Sequence, residues 1–131
     1  MARSMQSAGW VIGLFSLLIG AFSIANILFV SVKERTPQIG IEKALGAHPR
    51  MIVAEFLCES VILAVLGGAA GIGAVFLTSV ILPLVSAMSL SLTPALIGAA
   101  FSIAIVTGII SGVAPAFSAD RLTPVEAINY V

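Results

Sequence analysis

The side chains able to do chemistry in this chain crowd into two short stretches. Lys33, Glu34, Arg35, Glu42, Lys43, His48, Arg50, Glu55, the single cysteine Cys58 and Glu59 follow one another in the first third and just beyond it. Asp120, Arg121 and Glu126 stand close to the end, and Arg3 is the one charge outside these stretches. Neither stretch reads as a reaction centre. His48 has no second ligand at metal-binding spacing and reads as a turn residue before Pro49. The glycines from Gly67 to Gly73 have no Lys-Ser or Lys-Thr after them, as a phosphate-binding loop requires, and no catalytic triad can be assembled. One cysteine excludes an intrachain disulfide, so Cys58 reads as a small packing residue, with palmitoylation as the alternative. Glu55 and Glu59 repel weakly at i,i+4 spacing, which a basic partner elsewhere would relieve; solvated carboxylates are the simpler account. The sequence therefore predicts no catalytic residue, no metal and no cofactor. What the first stretch offers is a charged surface that a partner could grip.

The local signals shape that surface. Thr36-Pro37 starts a helix, because threonine can cap orphan N–H groups and proline early in a helix forfeits no bond. The helix is predicted over residues 37–45, with Ile41, Ala44 and Leu45 on one face, Gln38 and Glu42 on another, and Gly46 in the left-handed conformation that ends it. Two to three turns are marginal alone, so this helix must rest on something. His48-Pro49 reopens the helix as an amphipathic lead, with Ile52, Val53, Phe56 and Leu57 on one side. Near the end, Thr123-Pro124-Val125-Glu126 is a capping box, predicting a short interfacial helix with Tyr130 as an anchor.

These polar pieces are separated by long apolar ones. Hydrophobic residues make up 60% of the chain and charged residues 9%, against about 25% charged in a typical soluble domain. Residues 4–32 and 60–119 contain no Asp, Glu, Lys, Arg or His. A helix needs roughly 20 residues to cross the hydrocarbon, so the second run must hold two crossings. Pro83, Pro94 and the polar residues 86–93 mark the turn between them. The fold class expected is an all-α membrane protein with transmembrane helices over about residues 10–32, 60–82 and 95–117. Lys33, Arg35, Lys43 and Arg50 place residues 33–59, with the C-terminus, in the cytoplasm, and the N-terminus and residues 83–94 outside. An external N-terminus without a signal peptide suggests that these residues follow others in a longer protein; unaided N-out insertion is the alternative. Zero net charge and scattered basic residues exclude a nucleic-acid stripe.

Small residues recur at intervals of four along the spans: Gly9 and Gly13, then Ser16 and Gly20, in the first; Gly67 and Gly71 in the second; Ala104, Gly108, Gly112 and Ala116 in the third. Such stripes let helix backbones approach where lipid supplies no hydrophobic drive, so a compact bundle is expected. With no ionisable side chain in any span, a proton relay or charged substrate site inside the membrane is excluded.

Val32-Lys-Glu-Arg-Thr-Pro-Gln-Ile-Gly-Ile-Glu-Lys-Ala-Leu-Gly-Ala47, the glutamate-bearing lead, the Gly67-Gly68…Gly71 cluster and the ending Ala119-Asp-Arg-Leu-Thr-Pro-Val-Glu-Ala-Ile128 resemble, in order, the FtsX/MacB-like permease subunits of ABC transporters. The resemblance implies the C-terminal three-span half of a permease of a bacterial inner membrane, without an upstream first span and extracytoplasmic domain. It also implies dimers of permease subunits and a separate ATPase on the cytoplasmic side. Glu34, Arg35 and Thr36 would open a coupling segment. Ile39, Gly40, Ile41, Lys43, Ala44, Leu45 and Gly46 would form its docking helix and stop. Gln38 and Glu42 depart from the glutamate and basic residue usual at those places. A small membrane protein that binds or regulates a larger permease complex, or an inactive remnant, is the rival reading. A membrane-embedded enzyme is disfavoured by the empty spans.

Overall fold

The structure, a computed structural model, describes residues 2–85 and 92–121. Among these the chain is helical without strands: α1 spans Ala2–Glu34, α2 Thr36–Ala44, α3 Pro49–Val85 and α4 Pro94–Asp120. Three of the four, α1, α3 and α4, are long and apolar enough to cross a membrane. The capping box at Thr123 and the short helix expected after it lie outside the described residues.

Each boundary has a local cause. α1 gives way to α2 at Arg35 because Pro37 has no N–H with which to continue the helix. Thr36 does not cap α2, as the sequence suggested. Its hydroxyl is buried and donates to the Val32 carbonyl at 2.8 Å, a bond back into α1, while Arg35 takes the N-cap position without a side-chain bond. α2 ends in a Schellman motif: Ala47 N–H reaches Glu42 O at 2.9 Å and Gly46 N–H reaches Lys43 O at 3.1 Å. Gly46 holds φ at +93°, a value that costs any residue with a Cβ. Thr93 is extended, and Pro94 opens α4 immediately after it.

α1 begins at Ala2, so the first expected span lies within it, and the amphipathic lead runs on into the second span as one helix of 37 residues. At 1.5 Å per residue that helix is about 55 Å long, so its first turns project beyond a hydrocarbon layer of about 30 Å. Pro83 lies inside α3 rather than in the turn. So near a helix end a proline removes one backbone bond and has little helix beyond it to kink.

The helices meet at one end. α4 packs most extensively against α3 and also against α1, while α1 and α3 meet less. The buried apolar core gathers Leu28 and Val32 of α1, Ile39 of α2, Ile52 and Phe56 of α3, and Ala116 and Ala119 of α4. This is the charged end of the molecule. Farther along, the spans present Phe15, Ile19, Phe22, Phe76, Leu77 and Ile110 outward, which is the surface that lipid rather than water solvates. There α1 and α3 splay apart over α4, leaving an open cleft of about 700 Å³.

Candidate functional site

α2 is too short to hold itself, and its inner face explains how it is held. Thr36, Ile39 and Gly40 are buried at i, i+3 and i+4. Ile39 enters the core formed by the ends of the three spans, and Gly40 is buried beside it. The polar side chains complete the attachment, each to a different helix. Thr36 bonds to Val32 at the end of α1. Arg35 lies 3.5 Å from Glu55 of α3, both about half exposed, so Glu55 is at once solvated and beside a basic neighbour. Lys43 donates from Nζ to the backbone carbonyl of Asp120, and its ammonium is 3.7 Å from the Asp120 carboxylate at the end of α4. A cation there sits on the negative end of the helix dipole and on carbonyls with no helical partner.

The residues singled out in the sequence thus divide into two sets. Thr36, Ile39, Gly40 and Lys43 face inward to the protein's own spans, and Arg35, half exposed, reaches across to Glu55 of α3. Glu34, Ile41, Ala44 and Leu45 are exposed, with Pro37, Gln38 and Glu42 beside them, and Leu45 is 83% exposed. Ile41 and Leu45 stand one turn apart on the outer side, so a helix fixed from within shows an apolar ridge outside. Gly46 closes it. The arrangement presents a small surface joined to every span.

The small residues of the spans also divide. A Cβ on Gly108 would lie 2.8 Å from the Val61 Cα and 3.0 Å from the Ser60 carbonyl, so α3 and α4 touch backbone to backbone here. At Gly112 a Cβ would overlap the Ser60 hydroxyl and sit 2.7 Å from its Cβ. Ala104 and Ala116 continue the same buried face of α4. A Cβ on Gly68 would meet Ala104 at 3.1 Å, whereas Gly67 and Gly71 have nothing within 4 Å and line the open cleft with Gly13, Gly20 and Ala104. Ser60 is the residue that sequence reasoning missed. It is fully buried and donates to the Leu57 carbonyl at 2.8 Å. The absence of side chains at Gly108 and Gly112, on another helix, is what admits it. Lys43 and Asp120, 77 positions apart, gave no sequence signal of their pairing either.

Comparison with known proteins covers the same stretch. The family described as FtsX-like permease C-terminal matches residues 10–124. The pyoverdine export ATP-binding/permease protein PvdT of Pseudomonas fluorescens Pf-5 is 44% identical over 131 residues, covering 98% of this chain and 20% of that protein. PvdT of Pseudomonas syringae pv. tomato is 43% identical, with the same coverage. The uncharacterized ABC transporter permease YvrN of Bacillus subtilis is 45% identical over 88% of this chain and 31% of its own length. The chain therefore spans about a fifth of the PvdT relatives it matches.

Proposed function

The chain belongs to the FtsX-like permease family, and from that membership we propose that it serves as the permease part of an ABC transporter, passing work from ATP hydrolysis into movement of its spans. The observation that carries this reading is the two-sided build of α2. Its inner face is fixed to α1, α3 and α4 through Thr36, Ile39, Arg35 and Lys43, while among the described residues Ile41 and Leu45 stand exposed on the outside. A surface so held transmits a push instead of absorbing it. An exposed apolar ridge on a short helix is also the shape that fits a groove in a partner protein.

In this reading Glu34, Ile41, Ala44 and Leu45 meet an ABC ATPase, and Arg35, Thr36, Ile39, Gly40, Lys43 and Gly46 hold them in place. The chain itself contributes no catalysis; ATP is bound and hydrolysed outside these residues. The excess of Lys and Arg around α2 supports a cytoplasmic position for it, in contact with lipid headgroups at the membrane surface. Pairing with a second permease subunit belongs to the same proposal.

The test is affinity capture of the tagged chain from native bacterial membranes. Recovery of an ABC ATPase by the wild type, with at least tenfold less after Leu45→Asp, is the expected result; a tenfold loss corresponds to about 1.4 kcal/mol, modest for an exposed apolar anchor turned into a charge. Equal recovery by Leu45→Asp, at equal membrane insertion, refutes α2 as the docking surface.

A further inference from the structure

Lys43 reads in the sequence as a cation that a docking helix would show to its partner. The fold turns it the other way. Its side chain is 12% exposed, its Nζ donates to the Asp120 carbonyl, and the Asp120 carboxylate lies 3.7 Å away. α2 runs into α1 through Arg35 and into α3 through residues 45–48, so covalent bonds carry any displacement of α2 into those two spans. α4 has no such connection. Among the described residues it meets α2 through the apolar cluster that Ile39 shares with Ala116 and Ala119, and through Lys43. Apolar contact between an isoleucine and two alanines is non-directional and lets surfaces slide. A charge-assisted bond to a backbone carbonyl, reinforced by a neighbouring carboxylate, fixes position and direction. α4 is also the central helix, touching both other spans and flooring the cleft.

We propose that Lys43 is a positioning residue that clamps the C-terminal end of α4 to the docking helix, so that α4 follows α2 when the ATPase moves it. The proposal rests on the coupling reading above and adds the route by which the central span is engaged. It separates two properties that a docking residue would join: ATPase binding belongs to the outer face of α2, and transmission to α4 belongs to Lys43.

The experiment uses the full-length permease with its ABC ATPase in nanodiscs, carrying Lys43→Cys and Asp120→Cys in a Cys58→Ser background. Reduced, this protein has no clamp. A bis-methanethiosulfonate spacer of about the lost side-chain length restores a covalent one, and dithiothreitol removes it again. The expected result is unchanged affinity for the ATPase in both states. The permease-dependent stimulation of ATP hydrolysis is lost in the reduced state and regained when bridged. Lys43→Arg keeps charge and reach and retains stimulation, whereas Lys43→Met loses it. Equal stimulation in the bridged and reduced states, loss of ATPase affinity on reduction, or failure of the spacer to join the two thiols overturns the clamp. Leu45→Asp tells the two proposals apart. If it leaves ATPase binding intact, the docking reading itself falls; if it abolishes binding while the spacer has no effect, only the clamp falls.

Discussion

Single atoms decide how closely α3 and α4 pack. Ser60 is buried where Gly112 leaves room for its hydroxyl, and Gly108 meets the backbone of Val61. Within a bilayer, association of helices depends on such close packing, because leaving lipid yields no hydrophobic gain. Gly112→Ala is therefore expected to destabilise the chain by about 1–3 kcal/mol, the usual cost of overpacking. Ser60→Gly, by removing the atoms that the new methyl would strike, should restore most of the loss. Thermal unfolding of the single and double variants in detergent checks this. A double variant no more stable than Gly112→Ala would mean that the Ser60 contact is not what makes Gly112 necessary.

At the scale of the element, α2 is defined by its ends more than by its length. Nine residues rarely hold a helix in water, and this one is stopped by the Schellman bonds of Gly46 and Ala47 and pinned by Thr36 and Ile39. Gly46 at φ +93° has open space around it, so a side chain there is penalised by backbone conformation, not by collision. Gly46→Ala should cost about 1–2 kcal/mol, the price of a left-handed alanine, and Gly46→Pro more, since proline cannot adopt that φ or supply the N–H that reaches Lys43 O. Both variants should insert normally and lose stimulation of the ATPase, Gly46→Pro more completely. Hydrolysis assays on the reconstituted complex, beside protease protection for insertion, decide it; normal stimulation by Gly46→Pro would show that the shape of this stop is dispensable.

For the whole molecule, the uneven packing is the main feature. The ends of all three spans and α2 share one buried core, while the far halves of α1 and α3 stand apart over α4. The glycines report the same asymmetry. Gly67→Ala and Gly71→Ala, with nothing within 4 Å of the added methyl, should leave the stability of this chain unchanged or raised by up to about 1 kcal/mol through helix propensity. Gly108→Ala should lower it. Parallel melting curves in detergent compare them, and equal destabilisation by all three would contradict the open cleft.

Much of this was legible in the sequence because the physics behind it is local. The cost of an unpaired backbone group or a charge in lipid forces long uncharged runs into helices, and the runs around α1, α3 and α4 declare themselves that way. Gly46 announced its conformation because few residues other than glycine tolerate it, and the order of motifs around α2 carried the family. The division of α2 into an inner and an outer face was not legible. Arg35 and Lys43 look alike in sequence to cations awaiting a partner, and only the convergence of three helix ends supplied Glu55 and Asp120 to receive them. The stripe of small residues likewise could not say which glycines would be pressed against a neighbour. Gly108 and Gly112 meet Ser60, whereas Gly67 and Gly71 face the cleft. Spacing places residues on a face, but the rotation of each helix against the others decides what that face touches, and that rotation is set by contacts between residues far apart in the chain.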